Sequence, residues 1–305
     1  MEELNSTSNI SSPGQPHPVS WDSKLAIVVV LSLCFALGVP GNIAVIIIKP
    51  NWQHLSNLSQ ILMLNLAMSD LLCLSTLPLW SYTILYTWTF GLVACKLVSY
   101  LVHCSVYGSL LTVTALSVQR YIQVVDLQGC SYQTEKRWLL VLLWLVAMIL
   151  SIPVLVTHQV LTDQHWARCQ PHYSSLAQQV VVLVIESLMG FISFSVVASA
   201  YIQLHRKVHQ AAFFNNPRMT WLVTSIIVTF LVLRMPYPIV NMLGVAAVTV
   251  KNEDLLKFYL HSWNITGALI FVNSCLNPLL YAFASRNKCT LCQKKHVVIA
   301  EARLS

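Results

Sequence analysis

Long apolar runs, broken by short polar stretches, set the rhythm of this 305-residue chain. Seven runs approach or exceed the roughly 20 residues that a helix needs to cross a bilayer core. They cover Leu25–Ile48, Leu58–Leu85, Lys96–Val125, Trp138–Val156, Ala177–Leu204, Trp221–Val248 and Phe258–Phe283. Apolarity is continuous within them and does not alternate at every second residue, which excludes an outer-membrane barrel. The spacers are short, so neighbouring helices run antiparallel in one domain. No internal repeat and no soluble domain is visible. The pattern predicts an all-α fold, a seven-transmembrane helical bundle with a short amphipathic helix after the last span. The expected divisions are a polar tail over 1–23, the membrane domain over 24–285 and a cytoplasmic tail over 286–305.

Polar residues inside the runs carry the chemistry. Three full charges lie within the spans: Asp70, Glu186 and Arg234. A charge in an oily segment costs at least about 2.5 kcal/mol on insertion scales, so such residues turn inward and are functional unless they form a structural ion pair. Several helices also carry polar stripes at helical spacing. Arg234, Tyr237 and Asn241 share a face of helix six, as Tyr100, His103 and Tyr107 do on helix three. Glu186, Gly190 and Ser193 line helix five, and His261 and Asn264 lie near the outer end of helix seven. Lipid cannot satisfy these groups, so they are expected to line a polar, aromatic-rimmed chamber open to the outside. Any one His or Tyr has the simpler reading of a satisfied structural residue; their joint occurrence favours a pocket. Deeper in the bundle, Asn42, Asp70, Ser109, Asn273 and Asn277 form an oxygen-rich set suited to water or a small cation. Pro78, Pro153, Pro236 and Pro278 each remove a backbone hydrogen bond and can kink a helix.

Composition agrees with the membrane reading. Hydrophobic residues make up 56% and charged residues 10%, against about 25% charged in soluble domains; the mean hydropathy is +0.65. Charge then sets the orientation. With the N-terminus outside, the cytoplasmic side holds Lys49, Arg120, Lys136, Arg137, Arg206, Lys207, Arg218, Arg286, Lys288, Lys294, Lys295 and Arg303. The outside holds only Lys24, Lys96, Arg168, Lys251 and Lys257. This bias is the positive-inside pattern. The net charge of +7 therefore reflects topology and anionic lipid; the basic residues are too scattered for a nucleic-acid surface.

Residues 1–22 lack a basic start followed by an apolar core, so no cleavable signal peptide is expected. Asn5 and Asn9 open glycosylation sequons on the predicted outside. Similar triplets at Asn57 and Asn264 would fall in the cytoplasm and in a helix, and are read as chance. Of nine cysteines, Cys95 and Cys169 both face the oxidising side and are expected to pair. Cys289 and Cys292 form C-x-x-C after the last helix. Without further ligands in sight, palmitoylation is weighed there against two unmodified thiols.

In order along the chain stand "GVPGN" (Gly41, Asn42), "LNLAMSD" ending in Asp70, "WTFG" (Trp88), Cys95, "SVQRY", Trp144 with Pro153, "RMPY" and "NPLLY". Each motif alone is weak. Together on seven spans they resemble the rhodopsin-like, class A G-protein-coupled receptors. Within that family the chain is most similar to the chemoattractant branch, and to leukotriene B4 receptors in particular. The signs are "LTVTALSVQRY", Glu186 with "GF" following, "MPYPIVN" and "SCLNPLLYAF". The resemblance implies a receptor for leukotriene B4 or a related hydroxy fatty acid, acting in chemotaxis or inflammation. It implies a heterotrimeric G protein of the inhibitory class, possible binding of arrestin, and no enzymatic role or cofactor. The implied pocket comprises Tyr100, His103, Tyr107, His158, Glu186, Arg234, Tyr237 and Asn241. The implied coupling residues are Gln119, Arg120, Tyr121, Tyr201 and Tyr281. Alternatives are another lipid or peptide attractant, a non-signalling scavenger receptor, or, further off, a transporter. The odd helix count and the lack of repeat halves oppose transport. Neither H-E-x-x-H nor G-x-S-x-G occurs to suggest an intramembrane enzyme.

The departures from the family pattern matter. Gln119 stands where an acid usually precedes the helix-three arginine, and Asn216 stands where many members place an acid on helix six. Arg120 thus lacks both usual carboxylate restraints, and elevated basal signalling is expected. Helix five has no proline near Ser193. Arg234 replaces the tryptophan usual two residues before Pro236. Three roles are open for it: a direct or water-bridged contact with Asp70 in place of sodium, a pair with Glu186, or reception of an anionic ligand.

Overall fold

The computed structural model describes residues 21–48, 56–125, 136–163, 166–210 and 217–301. Within these, the side chains of 21–23, 120, 123–125, 136–137, 163, 204–205, 207–210, 217–223 and 280–301 lie outside the description. The first span is α1 (Trp21–Ile48). The second is divided into α2 (Asn57–Ser75) and α3 (Leu77–Leu85). The third and fourth are α4 (Gly91–Val125) and α5 (Lys136–Thr157); the fifth is α6 (Leu176–Gln210). The sixth is divided into α7 (Pro217–Arg234) and α8 (Pro236–Val250), and the seventh lies in α9 (Glu253–Glu301). Among the described residues, six helical stretches are long and apolar enough to cross a bilayer on those grounds alone. The helical assignment of α9 runs through Glu301, so the residues expected to form a short helix after the last span are helical without being delimited from it.

Local chemistry explains the interruptions. The Ser56 hydroxyl caps α2 by accepting from the Ser59 amide at 3.2 Å, satisfying a donor that the first helical turn leaves free. At the other end, the Thr76 hydroxyl donates to the Cys73 carbonyl at 2.7 Å. Pro78 then opens α3 where its missing N–H costs nothing. Pro236 opens α8 in the same way. Pro153 and Pro278, by contrast, lie inside continuous helices. Lys251 ends α8 in the left-handed conformation, with φ 55°.

The connection between the fourth and fifth spans is not all loop. It forms an antiparallel hairpin of β1 (His158–Asp163) and β2 (Trp166–Pro171), with His158 opposite Pro171 and Val160 opposite Cys169. Cys95 at the start of α4 is joined to Cys169 on β2, as expected. The hairpin also exchanges bonds with the α3–α4 connection. The Ala167 amide donates to the Thr87 hydroxyl at 2.7 Å, and the Trp88 amide donates to the Ala167 carbonyl at 2.8 Å.

Burial is inverted relative to a soluble protein. Leu33, Ile47, Val141, Ile149, Ile192 and Val232 are exposed on the perimeter, whereas Asn42, Asp70, Ser109, Asn241 and Asn273 are buried. Each perimeter residue faces outward where acyl chains accept it. The largest apolar cluster joins Leu62 and Leu66 of α2, Val113 and Leu116 of α4, and Ile226 and Phe230 of α7. Beside it, Asn65 donates to Thr112 at 2.6 Å and accepts from the Trp144 indole at 2.8 Å, binding α2, α4 and α5.

Candidate functional site

Near the disulfide end, one carboxylate gathers two helices. Glu186 Oε2 on α6 accepts from Tyr237 Oη at 2.8 Å and from Asn241 Nδ2 at 2.9 Å. Tyr237 and Asn241 are one turn apart on α8 and therefore share a face. Their helix starts at Pro236, which sets that face toward α6. The approach is close. A Cβ on Gly190 would meet Pro238 Cβ at 3.0 Å, and the Ser187 hydroxyl bridges the carbonyls of Leu183 and Pro238 at 2.7 and 3.2 Å. Tyr107, buried on α4, lies within electrostatic reach of Glu186. So do two tyrosines that the helical stripes did not flag, Tyr173 and Tyr259. Burial, and then the charge of Glu186, push the Tyr173 hydroxyl above its ordinary titration range. Tyr173 lies between β2 and α6, outside any span, which is why periodicity missed it.

Arg234 is the last residue of α7 and is 8% exposed. Its Nε and Nη2 donate to nothing in the protein. Its guanidinium carbon sits 5.7 Å from the centre of the Phe230 ring. The expected direct contact with Asp70 is not formed. The Asp70 carboxylate is fully buried and its Oδ2 is taken by the Asn277 amide at 2.6 Å. The pair with Glu186 is not formed either, because Tyr237 and Asn241 hold that carboxylate. Lys257 and Asp254 form an ion pair at the start of α9, away from this group.

Around Asp70 the predicted oxygen-rich set does assemble. Asn42 Nδ2 donates to the carbonyls of Gly38 and Ser274 at 2.9 and 3.1 Å. Asn42 Oδ1, Ser69 Oγ, Asp70 Oδ1, Ser109 Oγ and the Asn273 amide are buried without protein partners. Buried polar atoms are normally hydrogen-bonded, so these donors and acceptors fit water or a hard cation. The Arg234 guanidinium, electrostatically linked to Asp70, opposes the cation.

Toward the hairpin, the His103 and His158 rings meet edge to face, 5.8 Å between centres. His103 Nδ1 lies 2.8 Å from the Ser99 carbonyl. His158 is buried at the start of β1, and its Nδ1 has no partner. Burial, and next the neighbouring His103, push the His158 imidazole down to about 3, so it is neutral at ordinary pH. The stripe residues do not all converge on one group. The Tyr100 hydroxyl does not enter the Glu186 group; it donates to the Met148 carbonyl of α5 at 3.2 Å. His261 and Asn264 are exposed, and Asn264 returns its amide to Leu260 of its own helix at 3.0 Å. All three sit on helices bordering two neighbours, and a helical stripe alone does not say which neighbour it meets.

At the opposite end of the bundle, Gln119 is buried and fully engaged. It accepts from Ser59 Oγ at 2.9 Å and donates to Ser56 Oγ at 2.6 Å. The residue that lacks the usual acid's charge therefore has its own anchor on the start of α2. The serine pair at i and i+3 was the available signal for this contact. Tyr121 and Tyr201 are half-buried and Arg206 is exposed. The side chains of Arg120, Tyr281, Cys289 and Cys292, and the residues Asn5, Asn9 and Asn216, lie outside the described residues.

Seven antiparallel helices, a capped and disulfide-tied end and a polar interior define a seven-span membrane receptor. The family described as "7 transmembrane receptor (rhodopsin family)" matches residues 41–281. The chain belongs to this family and is a multi-pass membrane protein of the receptor class, related to chemoattractant receptors. It is 31% identical to human leukotriene B4 receptor 1 over 291 residues, covering 92% of this chain and 82% of the relative. The mouse leukotriene B4 receptor 1 is 30% identical, covering 90% and 81%. C-C chemokine receptor type 8 of Macaca mulatta is 28% identical, covering 90% and 80%.

Proposed function

We propose that the chain is a plasma-membrane receptor, N-terminus outside, for leukotriene B4 or a related hydroxy fatty acid. Arg234 carries this reading. Its two buried donors lack protein partners, and a guanidinium suits a carboxylate head group through paired hydrogen bonds. Tyr237 lies within electrostatic reach of Arg234 and links it to Glu186. The unpartnered Asn241 Oδ1 and the Glu186 group supply acceptors for ligand hydroxyls. Tyr107, His103 and His158 form the outer wall, with Tyr100 behind it.

Agonist binding favours a state in which the far end of the sixth span moves outward, in proportion to its preference for that state. Gln119, Arg120, Tyr121, Tyr201 and Tyr281 form the coupling surface for an inhibitory-class G protein, and arrestin would engage the same end. Glycans at Asn5 and Asn9 and acyl chains at Cys289 and Cys292 complete the proposal. A peptide attractant is the second reading, favoured by similarity to a chemokine receptor.

The test compares leukotriene B4 with its methyl ester on the unmodified receptor and Arg234→Gln. Losing a charge-assisted hydrogen bond of about 1.5–3 kcal/mol predicts a loss of roughly 10- to 150-fold for the acid and a much smaller loss for the ester. Equal losses for both, or no binding of either to the unmodified receptor, reject the reading.

A further inference from the structure

We infer that Cys34 and Cys275 are a redox-sensitive pair, closed into a disulfide between the first and seventh spans by lipid hydroperoxides in the bilayer. The inference stands apart from the identity of the agonist. Cys34 on α1 and Cys275 on α9 are buried free thiols, 5% and 7% exposed. The Cys275 thiol donates toward Cys34 Sγ at 3.7 Å and toward the Val272 carbonyl at 3.2 Å. The two backbones are close enough to keep the sulfurs together. A Cβ on Gly38, one turn along α1 from Cys34, would meet Cys275 Cβ at 2.9 Å and its Cα at 3.1 Å. A side chain there would push α9 off α1 and part the thiols.

Bonded sulfurs lie about 2.0 Å apart, so about 1.7 Å of the 3.7 Å separation must close. Each Sγ swings around its Cα–Cβ bond on a radius of about 1.65 Å. A turn of about 30° in each side chain, directed at the other, covers that distance.

The approach to the pair is from lipid. A groove of about 440 Å³ runs between α1 and α2 on the perimeter, with Phe35, Val39, Leu72 and Ser75 in its lining. Val39 also packs against the cluster that holds Leu31, Cys34, Leu74 and Cys275, and Phe35 follows Cys34 in the chain. One layer of side chains thus divides the thiols from the groove. Phe35 and Leu72 are exposed, where acyl chains lie. The oxidant that shares this environment is an unsaturated acyl chain bearing a hydroperoxyl group.

The Cys34 sulfur attacks the terminal peroxide oxygen. The O–O bond breaks, the thiol proton passes to the departing alkoxide, and a lipid alcohol and a Cys34 sulfenic acid result. The Cys275 sulfur then attacks the sulfenic sulfur; the S–S bond forms, and water leaves with the Cys275 proton. The two sulfurs together lose two electrons and the peroxide gains them. The new bond would fix α9 against α1 beside Ser274, whose carbonyl accepts from Asn42 at 3.1 Å. It lies two residues from Asn277, which donates to Asp70 at 2.6 Å. Oxidation would therefore lock the polar core that the two helices share.

The experiment places the purified full-length receptor in nanodiscs of phosphatidylcholine whose linoleoyl chains carry either a hydroperoxyl or a hydroxyl group. Peptides are mapped after cleavage without reductant. The expected result is a Cys34–Cys275 linked peptide, about 2 Da lighter than its two parts, with the hydroperoxide and not with the alcohol. The unfolding midpoint should rise with the linked fraction, and Cys34→Ala and Cys275→Ala should each lose that rise. Leu72→Trp, which fills the groove, should slow linkage by the hydroperoxide several-fold and leave linkage by iodine unchanged. Mapping of the unmodified receptor does not depend on whether the variants fold. No linked peptide at excess hydroperoxide, linkage to Cys73 or Cys104 instead, arrest at sulfinic acid, or an unchanged rate in Leu72→Trp would each overturn the inference.

Discussion

Replacing Arg234 by methionine should make the agonist-free receptor more stable. The guanidinium is 8% exposed, and its Nε and Nη2 have no partner. Each buried donor left unsatisfied costs about 1–3 kcal/mol, giving a gross relief of about 2–6 kcal/mol. Against this stands the cation–π contact with Phe230 at 5.7 Å, worth about 0.5–1 kcal/mol, and some lost packing of the stem. Methionine is unbranched and apolar and fills irregular gaps. A net gain of about 1–4 kcal/mol is therefore expected, in the range seen when buried charges give way to apolar side chains. For a chain of this size that raises the unfolding midpoint by about 2–4 °C per kcal/mol.

The protein supplies its own reporter for this measurement. Among the described residues Cys34, Cys73, Cys104 and Cys275 are buried free thiols, so in a receptor with Cys130, Cys289 and Cys292 replaced by serine a thiol-reactive dye reports unfolding. Arg234→Lys keeps the charge and should show no gain. A midpoint lowered by several degrees in Arg234→Met would refute the reasoning, because it would mean that the guanidinium is partnered in the resting receptor.

Two further outcomes follow from the anchors described above. Gln119→Leu removes both ties to Ser56 and Ser59, so it should cost about 1–3 kcal/mol of stability and raise agonist-independent nucleotide exchange; exchange at or below the unmodified level would show that this clamp does not restrain the resting state. His158 has a native value pushed down to about 3 from an ordinary 6.5, so below pH 6.5 the unfolded chain binds a proton that the native ring refuses. Stability then falls with pH, by about 2 kcal/mol between pH 7.5 and 5, and His158→Gln should flatten that part of the profile; identical slopes in both proteins would refute the assignment.

The spans were legible because a bilayer leaves a chain few options: continuous apolarity and a self-satisfied backbone. The inward polar groups were legible for the same reason, and Glu186, Tyr237 and Asn241 do converge. What periodicity could not supply was choice between neighbours. Tyr100 lies on a face with His103 and Tyr107, yet its hydroxyl reaches α5. Asn264 has the spacing of a pocket residue, yet its own backbone satisfies it. Prolines were similarly ambiguous: Pro78 and Pro236 open new helices, while Pro153 and Pro278 are absorbed into continuous ones. The hairpin was hidden because its six-residue strands are too short to stand out. Gln119 was read as a missing charge, when its amide can do what a carboxylate cannot, accepting from one serine and donating to the other.

The division of the sixth span at Met235 has a mechanical consequence. Above the joint, α8 is bolted to α6 at Pro238. Below it, α7 is a rod of 18 residues, roughly 27 Å at 1.5 Å per residue. Arg234 is the final residue of that rod and sits at its fulcrum. A tilt of about 10° there displaces the distal tip by roughly 5 Å over that length, while a guanidinium about 6 Å from the helix axis moves by only about 1 Å, a gearing of roughly fourfold to fivefold at the far membrane face.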